Sequence, residues 1–466
     1  MLPLIAVLLL APIAGILIGF TLHESRMHGI AILVSTITLA IVLFMAFLFW
    51  SNSSSQIGNI VVPYLQNASI NIGFTVTQTS MIILVAVALV FFGASIAQSS
   101  MISEKERIYG ISFLVAQLGT FGVLLSANLI TFYIFWELSE VAAFFIIFVF
   151  GSFDRRHAAM KFLVYSFAST LLFLFAALLI FEYAGTIEIA AIAQSISSAN
   201  VSIQLAIATL LILSFGIKMP VFPLHGWLPE AYSEAPPTGS MILGGALSKI
   251  GAYGLLVTVL IIPALSSYMQ YVAILFAFSA VYAALITIRQ TELRSTIAYA
   301  SMAGMGVIGF AITANNQTAV YGALYSIIAH SIGISVLFLC SGAIMKAYGT
   351  DIIEKLHGLV ESSSNISYVF LAAALIQVGM PLTPGLIADI LMLTGIFSKF
   401  SYAGFIVIIP IFLIFAYLFR ILEISFFSKE NEMRQFYVVD NNVLLACILL
   451  ICAAVAFGLF PSLLIR

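Results

Sequence analysis

Charged residues are scarce in this chain. Of its 466 residues, only 8% are Asp, Glu, Lys or Arg, whereas 62% are hydrophobic. Soluble domains carry about 25% charged residues, because a solvated surface needs them. The shortage argues against a soluble globular protein and against a nucleic-acid-binding surface. It indicates an integral membrane protein embedded in a lipid bilayer.

Cofactor motifs are also missing. Cys340, Cys447 and Cys452 lie in apolar runs at no metal-binding spacing, which predicts buried packing. The sequence has no glycine-rich phosphate loop, haem motif or iron–sulfur motif. We therefore expect no cofactor and no metal in this chain. Any redox chemistry is expected to reside in partner chains.

What the sequence does contain is a series of long apolar runs. A helix needs about 20 apolar residues to cross a bilayer. The first run lacks the basic stretch and the cleavage site of a signal peptide, so we expect it to be a span. The runs predict a single all-α membrane domain of about fourteen transmembrane helices. They are 2–22, 29–50, 77–98, 107–126, 128–151, 159–183, 203–224, 239–262, 268–288, 293–314, 318–347, 366–398, 402–425 and 441–463.

Positive charges are divided unevenly between the loops. With fourteen spans the loops alternate between two sides, and thirteen of the 17 Lys and Arg residues fall on one of them. Because cytoplasmic loops are enriched in Lys and Arg, we expect both termini outside, in a prokaryotic cell membrane. Lys399 and Arg466 fall on the outer side, and Lys218 and Lys249 within spans. The thirteen are Arg26, Lys105, Arg107, Arg155, Arg156, Lys161, Arg289, Arg294, Lys346, Lys355, Arg420, Lys429 and Arg434.

Two spans contain helix breakers at membrane depth. Non-helical backbone occurs there only where it is buried in protein or lines a cavity. Because the breaks lie five spans apart, and five is odd, we expect two inverted five-helix repeats, spans 4–8 and 9–13. This division gives N-terminal helices 1–3 at 1–106, repeats at 107–262 and 268–425, and helix 14 at 441–466. The breakers are Pro220 and Pro223 in helix 7, and Pro381, Pro384 and Gly385 in helix 12.

Charged residues inside the first repeat predict an ion path. Lys218 directly precedes the first break, and Glu137 lies among aromatic residues in the fifth span. A charge at the centre of a bilayer costs about 3 kcal/mol or more, so it needs a partner or a cavity. We expect Glu137 to pair with Lys218, either in a switchable proton site or in a static ion pair between two helices. Glu140, three residues on, either extends this site or lies nearer an edge.

Three further polar residues continue the predicted path. Lys249 in the eighth span has no sequence-near acidic partner, and His330 lies deep in the eleventh. The histidine suits a relay, and the alternative is a hydrogen-bonded packing residue. Asp389 follows the second break as a terminal acid, or else accepts hydrogen bonds from backbone that the break frees. The predicted relay runs Glu137, Lys218, Lys249, His330, Asp389, with water bridging the gaps.

The loop after the seventh span is predicted to be cytoplasmic, yet it contains no Lys or Arg. Its sequence HGWLPEAYSEAPP carries the turn signals of three prolines. His225 at its start either guides protons into the path or caps and orders the loop.

The motif KMPVFPLHGWLPEAYSEAPPTGSMILGGALSKIGAYG resembles the signature of the antiporter-like subunits of respiratory complex I. Multisubunit cation/proton antiporters and energy-converting hydrogenases share this family. FYIFWELSEVAAFF, TELRSTIAYASMAGMG and IIAHSIGISVLFLCSG extend the resemblance over most of the chain, and GMPLTPGLIADILMLTGIF is most similar to the M-type subunit. The resemblance implies fourteen helices with inverted repeats, proton translocation and a glutamate–lysine pair at Glu137 and Lys218. It also implies a central lysine at Lys249 and a histidine at His330.

Three positions depart from the family pattern. Asp389 stands where the M-type usually has glutamate, Gly304 where it commonly has histidine, and Ile334 where related subunits often have lysine. The second half of the relay is therefore expected to depend on His330 and water.

The resemblance implies a non-catalytic, proton-pumping subunit of a redox-driven complex, such as an NADH/quinone oxidoreductase or a related hydrogenase. Its partners would be other membrane subunits, including neighbouring antiporter-like ones. The alternative is a subunit of a multisubunit Na⁺/H⁺ antiporter without redox partners, and a bicarbonate-uptake subunit is a third class. Whether protons alone or also Na⁺ are moved stays open at this point.

Overall fold

The computed structural model describes residues 2–51, 56–65, 70–428 and 439–463. These residues form a helical bundle with one β-hairpin, and short 3-10 and π turns link some of the helices. The helices are α1 Leu2–Thr21, α2 Met27–Ser51, α3 Gln78–Met101, α4 Glu106–Leu124, α5 Leu129–Phe150, α6 Arg155–Ala184, α7 Ile189–Ile196, α8 Val201–Lys218, α9 Leu228–Glu234, α10 Pro237–Ile242, α11 Ser248–Ile261, α12 Met269–Arg289, α13 Leu293–Thr313, α14 Gln317–Tyr348, α15 Leu359–Ser362, α16 Ser364–Gln377, α17 Pro384–Phe400, α18 Ile408–Ile421 and α19 Asn441–Leu459.

The core is built around α3 and α14, which are buried along nearly their whole length. Here α14 packs against α3, α13, α16 and α17. Peripheral helices instead expose large apolar side chains, such as Leu17 on α1, Phe175 on α6 and Phe412 on α18. Apolar surface of this extent would drive aggregation in water. It matches a hydrocarbon solvent, as the composition predicts.

Thirteen helical stretches among the described residues are long and apolar enough to cross a membrane. The sequence predicts fourteen, and the difference lies between α16 and α18. Helix α16 is only 14 residues long, and α17 continues through a 3-10 turn at Ser401–Val407 into α18. Ser425, just after α18, donates to the carbonyl of Ile353 at 3.0 Å, on the face where α16 begins. The chain thus returns through α18, and α16 and α17 are two halves of one pass, which makes fourteen passes.

The first break separates α8 from α9. Helix α8 ends at Lys218, the turns that follow contain Pro220 and Pro223, and α9 begins at Leu228. The predicted loop after the seventh span is therefore partly helical. Helix α9 packs against α6 and α13 and closes the break on that side.

The second break separates α16 from α17. Gly379 and Leu382 have φ angles of 71° and 72° there, and Pro381 lies between them. Pro384 and Gly385 are not part of the break, which corrects the prediction by about one turn. Pro384 instead begins α17, where a helix leaves its N–H groups unpaired and a proline costs nothing.

Loops that the sequence assigns to one side contact each other in the structure. Lys346 Nζ donates to the carbonyl of Ser100 at 2.8 Å on one face, and Asn128 Nδ2 donates to Glu188 at 3.3 Å on the other. Helix α8 starts from the face of Glu188 and α16 from the face of Lys346, so the two broken helices run in opposite directions. The repeat boundaries themselves stay a prediction. Three of the basic residues used for orientation, Lys429, Arg434 and Arg466, lie outside the described residues.

A β-hairpin lies between the predicted spans 29–50 and 77–98. Strand β1 Gln56–Leu65 pairs antiparallel with β2 Ile70–Thr77. The N–H of Gly73 donates to the hydroxyl of Thr131 on α5 at 3.0 Å, which ties the hairpin to the start of that helix. The alternating sequence NIGFTVT was a signal for the second strand. The helical prediction therefore holds for the membrane passes, and one β element is added outside them.

Candidate functional site

Glu140 on α5 is a buried carboxylate held by groups from three helices. Trp136 Nε1 donates to Oε1 at 2.9 Å, and the Ser166 hydroxyl on α6 donates to Oε2 at 2.8 Å. Lys218 at the end of α8 donates to Oε1 and forms a salt bridge with it. Both oxygens thus have donors, as a buried charge requires. The Glu140–Lys218 pair joins α5, α6 and α8 at the first break.

Glu137 does not pair with Lys218, so the predicted partner of the lysine was wrong. The Glu137 side chain is half-buried, and its Oε1 atom has no hydrogen-bond partner among the described residues. Its charge acts on the hydroxyl of Tyr133, one turn earlier on α5. Three helical positions turn by about 300°, so Glu137 and Glu140 point about 60° apart. Only Glu140 points between α6 and α8.

Lys218 occupies the last residue of α8, immediately before the break. The free carbonyl groups of a helix C-terminus favour a cation. Its ammonium nitrogen lies 5.5 Å from the ring centre of Phe162 and 5.8 Å from that of Trp227, which are cation–π distances. Trp227 is itself fixed by donating to the carbonyl of Ile217 at 3.0 Å. The lysine is therefore held by one carboxylate and two aromatic faces.

Lys249 is completely buried at the start of α11, and the π turn before it supplies one of its hydrogen-bond acceptors. The π turn Leu243–Leu247 joins α10 to α11. Lys249 Nζ contacts the carbonyl of Gly244 at 2.8 Å, the hydroxyl of Ser248 at 3.1 Å and Nδ1 of His330 at 2.7 Å. π turns frequently occur at functional sites because they leave backbone carbonyls available. The sequence analysis did not predict this turn.

His330 connects Lys249 to the second half of the bundle. Its Nε2 lies 3.1 Å from the carbonyl oxygen of Ser301 on α13. A carbonyl can only accept, so Nε2 carries a hydrogen and Nδ1 faces Lys249. A proton can then reside either on the lysine nitrogen or on Nδ1 without a change of partners. Sequence reasoning placed these two residues next to each other in the relay, and the structure brings them into contact.

A small cavity separates His330 from Asp389. Its volume is about 40 Å³, and Gly304, Ser326 and Gln377 are among its lining residues. A water molecule needs roughly 10–15 Å³ of such space and polar neighbours, so the cavity has room for one or more waters. Asp389 on α17 points towards Gly379 in the second break. No hydrogen bond to its carboxylate is present within the described part of the chain, and its role as a terminal acid stays a prediction.

Lys218 and Lys249 are not joined by a hydrogen bond in the described structure. Tyr232 on α9 lies between their sites, since its hydroxyl donates to the carbonyl of Leu243 at 3.0 Å and also interacts with Ser248 and with the charge of Glu140. Sequence reasoning missed Tyr232 and Ser248, as it missed Trp136 and Ser166. Trp136 alone had a usable signal, because it stands four residues before Glu140 on the same helix face.

His225 lies in the first break among aromatic rings. Its ring stacks on Phe222 and meets Tyr282 edge-on, at centroid distances of 5.8 Å and 5.2 Å. Its Nδ1 has no hydrogen-bond partner among the described residues, and the charge of Lys161 acts on it. Its role in proton entry stays a prediction.

Polar contacts fix α9 on the face that carries most of the basic residues. Lys161 pairs with Glu230, and Arg294 donates to the carbonyl of Ser233 at 2.9 Å. Glu234 accepts a hydrogen bond from the Asp154 N–H at 3.0 Å. Burial raises the pKa of the Glu234 carboxyl, and this hydrogen bond opposes the rise. Within the described residues, no group of three or more His, Cys, Asp and Glu side chains could hold a metal ion.

Comparisons with known proteins show which family and which solved structures this chain resembles. A family described as "NADH:quinone oxidoreductase/Mrp antiporter, TM" matches residues 126–418. The chain is 32% identical over 372 residues to NADH-quinone oxidoreductase subunit M of Rickettsia bellii (strain RML369-C), covering 78% of this chain and 75% of that protein. It is 29% identical over 476 residues to F(420)H(2) dehydrogenase subunit M of Methanosarcina mazei, covering 99% and 96%. Its fold matches a chain of respiratory complex I from Thermus thermophilus with bound NADH, at a TM-score of 0.88 and 20% identity, covering 99% and 97%.

Proposed function

This chain belongs to the NADH:quinone oxidoreductase/Mrp antiporter transmembrane family, and from that membership we propose that it is a proton-translocating membrane subunit of a redox-driven complex. The family match covers more than half of the chain. Relatives that match most or all of it are named as subunits of NADH-quinone oxidoreductase and of F(420)H(2) dehydrogenase. The protein is integral to the membrane and works beside other membrane subunits, including antiporter-like ones.

The observation that carries the proposal is the buried contact between Lys249 and His330. Two basic groups 2.7 Å apart, away from water, cannot both be charged without strong repulsion. Such a pair can share one proton between its two nitrogen atoms. A contact that served packing alone would need no basic group on either helix, because a buried charge costs free energy.

The relay then follows the line of polar groups from one break to the other. Lys218 at the first break gives a proton towards Lys249, and water bridges the gap beside Tyr232. Lys249 passes it to Nδ1 of His330. Water in the cavity carries a proton from the histidine to Asp389 beside the second break, and Asp389 releases it outward. Glu137 stays part of the proposed path because it lies near Lys218, where the path begins. His225 stays a candidate for the residue through which protons enter.

The driving reaction is assigned to partner chains and no cofactor to this one. The transported ion is H⁺, because the proposed path consists of two lysines, a histidine and an acid. A metal cation would need a cage of oxygen ligands instead. A second candidate is a subunit of a multisubunit Na⁺/H⁺ antiporter, which the shared family description supports. The full-length relatives with redox names favour the first candidate.

Two measurements test the proposal. The native complex is purified from the membrane and its subunits are identified. Copurifying redox subunits support the proposal, whereas only small membrane subunits would favour the Na⁺/H⁺ antiporter. In inverted membrane vesicles, electron transfer through the complex should acidify the lumen, and Lys249→Met in this chain should abolish most of that acidification. Unchanged acidification in an assembled Lys249→Met complex would contradict the proposal.

A further inference from the structure

We propose that Glu140, and not Glu137, is the carboxylate that controls the charge of Lys218 during translocation. This inference rests on the proposed function and deepens it. The resemblance to the family places the partner at Glu137, three residues earlier on α5. In this chain Lys218 pairs instead with a second carboxylate, Glu140, to which the resemblance assigns no role.

The surroundings of Glu140 are those of a group that must keep its charge. Its side chain is 2% exposed, and it receives hydrogen bonds from Trp136, Ser166 and Lys218. Hydrogen bonds to the charged form of a carboxylate stabilise that form. The three donors therefore favour a carboxylate at Glu140, and Lys218 forms a salt bridge with it.

Glu137 has none of these features. It is half-buried and lies beside Tyr133 rather than beside Lys218. Its Oε1 atom has no hydrogen-bond partner among the described residues, so no donor stabilises that oxygen as Trp136 and Ser166 do at Glu140. To reach Glu137, Lys218 would also have to leave the faces of Phe162 and Trp227. Glu140 would then be left buried without its counter-charge, which is strongly unfavourable.

The two residues of this pair differ in how firmly the backbone holds them. Glu140 lies in the middle of the continuous helix α5, whereas Lys218 ends α8 next to a non-helical segment. A movement of the break therefore shifts the lysine more readily than the glutamate. Separation from Glu140 removes the negative charge that holds the Lys218 proton, and the proton leaves to water on the side of Tyr232. The nitrogen then keeps its electron pair and the lysine becomes neutral.

Two isosteric variants on the same helix test the assignment in the whole complex. Glu140→Gln and Glu137→Gln each remove one charge and keep the side-chain size. We expect Glu140→Gln to lower proton translocation in inverted vesicles at least tenfold at neutral pH. The pH profile of the remaining activity should shift, because the carboxylate that contacts Lys218 is gone. Glu137→Gln should lower translocation clearly less than Glu140→Gln, and its pH profile should not shift.

The reverse ranking, or an unshifted pH profile for Glu140→Gln, would overturn the assignment. Lys218→Met is measured in parallel, and Glu140→Gln added to it should cause no further loss. If Lys218→Met itself pumps normally, the proposed function fails rather than the choice of carboxylate. Should Glu140→Gln not assemble, Ser166→Ala removes one hydrogen bond to Glu140 and leaves Glu137 untouched. It should shift the profile in the same direction by less, and the absence of a shift would also overturn the assignment.

Discussion

The imidazole of His330 lies directly against Gly304. A Cβ atom built on Gly304 would be 2.6 Å from Cδ2 and 3.0 Å from Nε2 of the histidine. Gly304 also lines the cavity that leads to Asp389. The absence of a side chain at this position of α13 therefore makes room for both the histidine and the water-sized space behind it.

Gly304→Ala should disrupt proton translocation while leaving the fold intact. The new methyl group pushes the imidazole off the carbonyl of Ser301, which sets the position of Nδ1 against Lys249. We expect at least a fivefold loss of vesicle acidification, measured per electron transferred. Gly29→Ala is the matched control, because no atom lies within 4 Å of a Cβ built there, and it should pump normally. Equal activity of the two variants would contradict a role for this contact.

Lys249→Met should remove most of the translocation without preventing assembly. Methionine fills a similar volume, and it no longer requires the carbonyl of Gly244 or the ring of His330 as partners. A buried charge that costs free energy disappears, so the free energy of unfolding of the subunit should not fall. Lys399→Met, at an exposed position of α17, serves as control and should behave like the unmodified protein. A loss of pumping in both variants would point to a general effect of removing lysine.

Asp389→Asn should block translocation, and Asp389→Glu should retain much of it. Asparagine keeps the size and an acceptor oxygen but cannot ionise, whereas glutamate restores the acid. Proton pumping in vesicles and the assembly of the complex are measured for both. Near-normal pumping by Asp389→Asn would show that the carboxylate merely accepts hydrogen bonds, and it would end the assignment of a terminal acid.

The orientation of the chain can be tested with single cysteines. In a background without Cys340, Cys447 and Cys452, the exposed positions Ser198 and Ser103 are each replaced by cysteine. A membrane-impermeant maleimide should label Ser198→Cys in intact cells and Ser103→Cys only in inverted vesicles. This result follows from the excess of Lys and Arg on the side of Ser103. The opposite labelling would reverse the predicted topology.

Much of the fold follows from the sequence because a bilayer permits few solutions. The apolar runs predicted the transmembrane passes, and proline residues within two of those runs predicted the two helix breaks. The choice between Glu137 and Glu140 could not be made in the same way. Both lie on one side of α5, about 60° apart, and the packing of α6 and α8 decides which of them is enclosed. Ser166, which helps to enclose Glu140, comes from another helix, so no pattern along α5 reveals it.

The contact between Lys249 and His330 could not be predicted from the sequence either. The two residues are 81 positions apart, and polarity suggested only that both belong to one path. Their direct contact depends on the π turn at Leu243–Leu247, for which the sequence had no strong signal. The hairpin was missed for a different reason, because it lies between two apolar runs rather than within one.

The π turn also determines which kind of mutation this region can tolerate. One extra residue in a helical turn rotates everything that follows by about 100° relative to a regular helix. The direction of Lys249 is thus set by the number of residues in the turn as well as by their identity. Deleting a single residue from Leu243–Leu247 would leave the lysine in the sequence and turn it away from His330. A change in the length of this turn would therefore misplace Lys249 even if every side chain around it were kept.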